Sequence, residues 1–286
     1  MKNIHRPLAA LAALALAALI PACGGKKEGV AGAYTYLPAN STVVGVIQVK
    51  KLFGSELAQM PEIKAQLEQA KQKDDFKKML DAGLDPTTNV DTVLVAFINV
   101  EAKDGALIVT GSFDAEKVAK HMNENNKNPQ PDEGAEVIAP GVVAFGKKTA
   151  IASAKEQKGL DGSPAVKEVV SLADDTRTLF YMVGKVPAEA TKDMPANMPP
   201  QLKSISAAAL SLSVTQDLTV SLLARLGSDA DAMAIKGLLD SMLPTMIPPT
   251  MADVLKALKI TTKGTDLSVD LTMTNQQIKE QMAKAK

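Results

Sequence analysis

From residue 43 onward the chain alternates between stretches that repeat every second residue and stretches that repeat every third or fourth. Val43 to Lys50 is rich in β-branched residues and predicts a strand. Lys51 to Leu80 predicts helix in two pieces divided near Pro61, with Ile63, Leu67 and Ala70 on one helical face and Gly83 as a helix-end glycine. Val90 to Val100 and Ala106 to Phe113 predict a hairpin about Lys103-Asp104-Gly105, and Asp114 predicts the cap of a helix from Ala115 to about Glu124. Short strands are expected at 137–139, 142–145 and 149–153, with turns at Pro140-Gly141 and Gly146-Lys147, then a helix near Ala165 to Leu172.

The second half runs in the same order. Thr178 to Val186 predicts a strand, and Ala207 to Val214 with Leu218 to Leu226 predicts a hairpin. Ser228 or Asp229 caps a helix through Met242, and another helix covers Met251 to Leu258. A last hairpin turns about Lys263-Gly264, and Thr274 or Asn275 caps a terminal helix. Leu218, Val220, Leu222 and Ala224 share one strand face, while Thr219, Ser221, Leu223 and Arg225 share the other. The expected fold class is α+β: antiparallel sheets with helices packed on one face, in two β-α-β-β-α-β-β halves related by duplication. The halves are expected at residues 36–173 and 174–286, after a signal at 1–22 and a flexible tether at 23–35.

The opening 36–42 stretch (YLPANST), the Leu52-Phe53 helix start, Gly83-Leu84-Asp85-Pro86 and Gly111-Ser112-Phe113-Asp114 are similar to an uncharacterised family of bacterial envelope proteins. That family opens with Leu-Pro-Ala, a polar or acidic residue and Ser/Thr. The likeness covers mostly residues 36–120 and implies architecture only.

The N-terminus carries the sharpest chemistry. Lys2, His5 and Arg6 precede an unbroken run of 13 Leu, Ala and Ile residues from Leu8 to Ile20. A bilayer span needs roughly 20 residues, so this length fits a signal-peptide core. The run ends Ile20-Pro21-Ala22-Cys23, which resembles the bacterial lipobox, with Pro21 departing from the usual small residue. The resemblance implies cleavage after Ala22 and a diacylglycerol on the Cys23 thiol. Cys23 is the chain's one cysteine. The protein is therefore expected to be a lipoprotein, lipid-anchored and periplasm-facing. Gly24, where an aspartate would resemble an inner-membrane retention signal, favours the outer membrane.

Composition then removes chemistries. Thirty-two basic residues balance 32 acidic ones; losing Lys2 and Arg6 with the signal leaves 30 against 32, which gives no footprint for nucleic acid. With His5 gone, His121 is the one histidine left, too few for a usual zinc site, and it falls at a polar helix end. Asp74-Asp75, Asp174-Asp175 and Asp229/Asp231 sit at helix starts or beside lysines, and Asp85, Asn89 and Asp91 form only a fragment of a calcium loop. No cofactor, metal or catalytic residue is expected. Thirteen methionines are the one enrichment. Met242, Leu243, Met246 and Met251 are candidates for an apolar groove, alongside Pro-rich loops at 187–200 and 244–249. The expected role is a non-catalytic binding or structural module for envelope proteins; the alternative is a binder or carrier of an apolar ligand.

Overall fold

The computed structural model describes residues 29–55, 58–126, 130–170, 178–187, 199–214, 217–246 and 252–284. Among them, ten strands form one continuous antiparallel sheet: β1 (Val43–Ile47), β2 (Val90–Asn99), β3 (Asp104–Gly111), β4 (Glu133–Ala139), β5 (Val142–Lys147), β6 (Thr178–Lys185), β7 (Ala207–Val214), β8 (Asp217–Arg225), β9 (Leu258–Lys263) and β10 (Asp266–Thr274). Their spatial order is β4-β5-β3-β2-β1-β6-β7-β8-β10-β9. The β1–β6 pair is a seam from which the order reads the same in both directions. Taking Gly45 and Met182, which face each other at the seam, as the centre, Val44 corresponds to Tyr181. Their neighbours on the next two strands are Ala96 and Ala106 on one side and Ser211 and Ser221 on the other, a constant offset of 115 residues.

Ten helices among the described residues dress the sheet: α1 (Gly29–Tyr34), α2 (Val49–Phe53), α3 (Pro61–Lys71), α4 (Asp74–Ala82), α5 (Ala115–Glu124), α6 (Lys148–Lys155), α7 (Pro164–Val170), α8 (Asp229–Met246), α9 (Ala252–Ala257) and α10 (Asn275–Lys284). They cover both faces of the first half, not one face as the alternation predicted. Leu94, Ala96 and Ile108 pack on the front face with Ala150, Ile151 and Ala154 of α6 and Val166 and Val169 of α7. Val93, Leu107 and Val109 pack on the back face with Val49 of α2, Met79 of α4 and Val118 of α5. A sheet buried on both sides has apolar residues at successive positions, and the Val-Leu-Val run at 93–95 is one.

Local chemistry sets the ends. The Asp114 carboxylate accepts from the Lys117 N–H at 3.0 Å, so it caps α5 as the sequence predicts. Gly83 closes α4 in the left-handed region at φ 93°. The Ser228 hydroxyl accepts from the Asp231 N–H, and the Thr274 hydroxyl from the Gln277 N–H, which settles both pairs of candidate caps.

Local expectations fail as well. Residues 149–153 lie in α6, because Ala150, Ile151 and Ala154 bury on a helical spacing rather than alternating. The Gly146-Lys147 turn is strand backbone in β5. The strand expected over Val43 to Lys50 ends early: β1 stops at Ile47 and α2 begins at Val49. The tether carries α1, whose Tyr34 is buried against Tyr181 at the seam, ring centroids 6.4 Å apart. Burial pushes the Tyr181 phenol far above its usual range. A neighbouring strap ties this entry segment down: Ser41 N–H donates to the Ser163 hydroxyl, which donates to the Pro38 carbonyl, and Ala39 N–H donates to the Ser153 hydroxyl.

Candidate functional site

One row of side chains crosses the back face through all ten strands. It runs Ala135, Phe145, Leu107, Val95, Gly45, Met182, Leu210, Leu222, Val269, Ile260, each opposite the next. In the first half it is closed: Leu107 and Ala135 are buried with residues of α2, α4 and α5. In the second half it opens. Met182 is 46% exposed and Leu222 51%, with Leu210 and Val269 half-buried between and beside them.

Packing on either side explains the opening. Below the row, Phe180, Leu212 and Val220 join a core with Leu52 of α2, Ile63 of α3 and Ile278 of α10. Above it, Ala224 and Leu267 join a core with Ala232 and Ile235 of α8, with Leu202 of a short 3-10 turn at Pro200–Ser204 and with Ile205 just after it. Met182 to Val269 spans three strand spacings, about 14 Å, with no charged or polar side chain in it. This strip offers apolar surface to a partner or ligand. It holds no group for proton transfer or nucleophilic attack.

The sequence candidates fall in three places. Cys23, Ala22 and Met251 lie outside the described residues, as do Asp174 and Asp175. Met242, 43% exposed, and the half-buried Leu243 lie in the last turns of α8, beyond the residues that fasten that helix. Met246 ends the same helix. Pro244 therefore stands inside α8 rather than in a loop, and the rest of the two Pro-rich stretches, 188–198 and 247–249, lies outside the described residues. The sequence reading missed Met182 and Leu222. Their alternation marks them as core positions, and no local signal distinguishes them from Leu107.

His121, Asp231, Asp85 and Asn89 are bonded within their own local structure. His121 lies in the last turn of α5, where its carbonyl accepts from Asn125. Asp231 accepts from the Ser228 hydroxyl at 2.9 Å. Among the described residues no cluster of His, Cys, Asp and Glu is arranged to hold a metal ion. Asp85 and Asn89 shape their own loop: the Asp85 carboxylate accepts from the Thr87 N–H at 2.8 Å and hydroxyl at 2.6 Å, while Asn89 accepts from Asp85 N–H and donates to the Gly83 carbonyl. Partial burial works against the charged Asp85, but the Thr87 and Thr88 hydrogen bonds outweigh it and hold the carboxyl below its usual value of 3.8.

A lowered folded value means stability that is full above the unfolded carboxylate range and lost as pH falls through the folded value. Asp85→Ala is therefore expected to cost about 1 kcal/mol at neutral pH, screened because the loop is partly exposed. Urea titrations should show that difference from the parent chain shrinking below about pH 4.

No family model, no curated protein and no solved structure matches the chain.

Proposed function

We propose that the chain is a bacterial envelope lipoprotein, held at the outer membrane by lipid on Cys23 and facing the periplasm. Its domain is a non-catalytic binding or structural module. The observation that carries the anchor is the single cysteine, placed directly after a 13-residue apolar run and a basic start. The observation that supports binding is the open back-face strip, Met182, Leu210, Leu222 and Val269, on a face that helices cover above it, below it and across the first half.

The two halves are read as a duplication. The mirrored strand order, the constant offset across two strands, and a capped helix after both β3 and β8 support it. In that reading the strip is the second copy of a surface that the first half keeps covered by α2 and α4. A second use of the same strip is an apolar ligand, favoured by Met182 at its edge, whose thioether adapts to varied shapes.

Purification of the native protein from envelopes, followed by mass spectrometry of what accompanies it, tests the module. The expected result is a stoichiometric protein partner that Leu222→Asp releases. A stoichiometric lipid released by the same substitution transfers the assignment to the apolar-ligand reading. Recovery of neither overturns both.

A further inference from the structure

The two outer strands of the sheet end differently. In β4 the outward backbone of Ala135 is closed by a side chain. Its N–H donates to Asn123 Oδ1 and its carbonyl accepts from Asn123 Nδ2, both at 2.9 Å. At the other edge, the ladder itself assigns the outward groups of β9. Leu226 N–H donates to the Thr265 carbonyl, so the odd-numbered residues of β10 turn toward β8. The even-numbered ones, Asp266, Ser268 and Asp270, bond to Lys263, Thr261 and Lys259. Leu258, Ile260 and Thr262 therefore present their N–H and C=O groups outward. Counted from the caps, Asp114 and Ser228, the position of Asn123 falls on Gly237 in α8, which has no amide to close them.

The rim of this edge is charged. Lys259 and Lys263 are exposed on the front face, and neither is in an ion pair among the described residues. The carboxylates opposite them are engaged elsewhere: Asp270 accepts from the Ser268 hydroxyl, and Asp266 takes both arms of Arg225 at 2.8 and 3.1 Å. The back face of β9 is covered, Ile260 packing with Ile235 and Leu239 of α8.

We propose that β9 is a docking edge for an extended segment of another protein that carries acidic side chains at alternate positions. This rests on the binding-module reading and names the kind of partner. The added strand would bond to Leu258, Ile260 and Thr262. Its acidic residues would meet Lys259 and Lys263 in the non-hydrogen-bonded pairs, where side chains approach closest. Edge lysines also guard against self-pairing, and here β9 against β9 would set lysine on lysine. That charge pattern selects an acidic strand over a second copy of this chain.

The test uses the full chain and two synthetic nine-residue peptides, one alternating valine with glutamate, the other valine with lysine. The glutamate peptide is expected to bind about tenfold or more tightly than the lysine peptide and to slow amide exchange at Leu258, Ile260 and Thr262. Lys259→Glu with Lys263→Glu should reverse the preference. Equal binding of the two peptides, no binding, or protection of the same amides in a dimer of the chain alone would overturn the proposal. If a partner released by Leu222→Asp is still recovered from envelopes, the module reading stands and only the edge falls.

Discussion

Cys23→Ser, carried behind a signal that is cleaved without lipidation, should move the protein out of the membrane fraction almost completely. Each buried methylene contributes about 0.8 kcal/mol to membrane attachment, and a lipoprotein cysteine carries two or three acyl chains, so their loss leaves nothing comparable to replace them. Among the described residues no helix is long and apolar enough to cross a membrane. Fractionation of cells with and without salt measures the effect. Salt-resistant retention of the serine variant in membranes would show that something other than the Cys23 lipid holds the chain.

The second large effect is an asymmetry in the sheet. Leu94 has no exposed surface and packs under α6 and α7 in the front core. Leu94→Ala removes that contact and leaves a cavity, at an expected cost of about 2–5 kcal/mol. Leu222→Ala removes a side chain that is half in water and should cost under about 0.5 kcal/mol. The two leucines look alike in the sequence, each an apolar residue within a β-rich run. Equal losses in denaturant titrations would mean that Leu222 is covered, and the strip would cease to be a candidate surface.

That pair marks where sequence reasoning reaches its limit. Caps and turns were legible because their chemistry is local: Asp114, Gly83 and the Lys263-Gly264 turn act within four residues of themselves. Most strands were legible because alternation is also local. Residues 149–153 were misread because a short apolar run satisfies a strand and a buried helix equally well, and only packing beside Val142 and Ala144 decides. The second layer of helices was hidden for a related reason. Whether Val93 or Leu222 is covered depends on α4 and on α8, elements that the local pattern does not place.

The edge at β9 was out of reach altogether, since Asn123 and Ala135 announce no pairing until the fold sets them together. The proposed duplication, by contrast, rests first on a repeated element order. The sheet adds a common seam and a common offset to that order.

The anchor is the centre of the account, and one measurement bears on it most directly: the mass of the N-terminal peptide of protein isolated from the envelope. A lipid anchor at this position predicts a chain that begins at Cys23, with residues 1–22 absent and the cysteine carrying a diacylglycerol. A chain that keeps Met1, or one that begins elsewhere with Cys23 as an unmodified thiol, would contradict it.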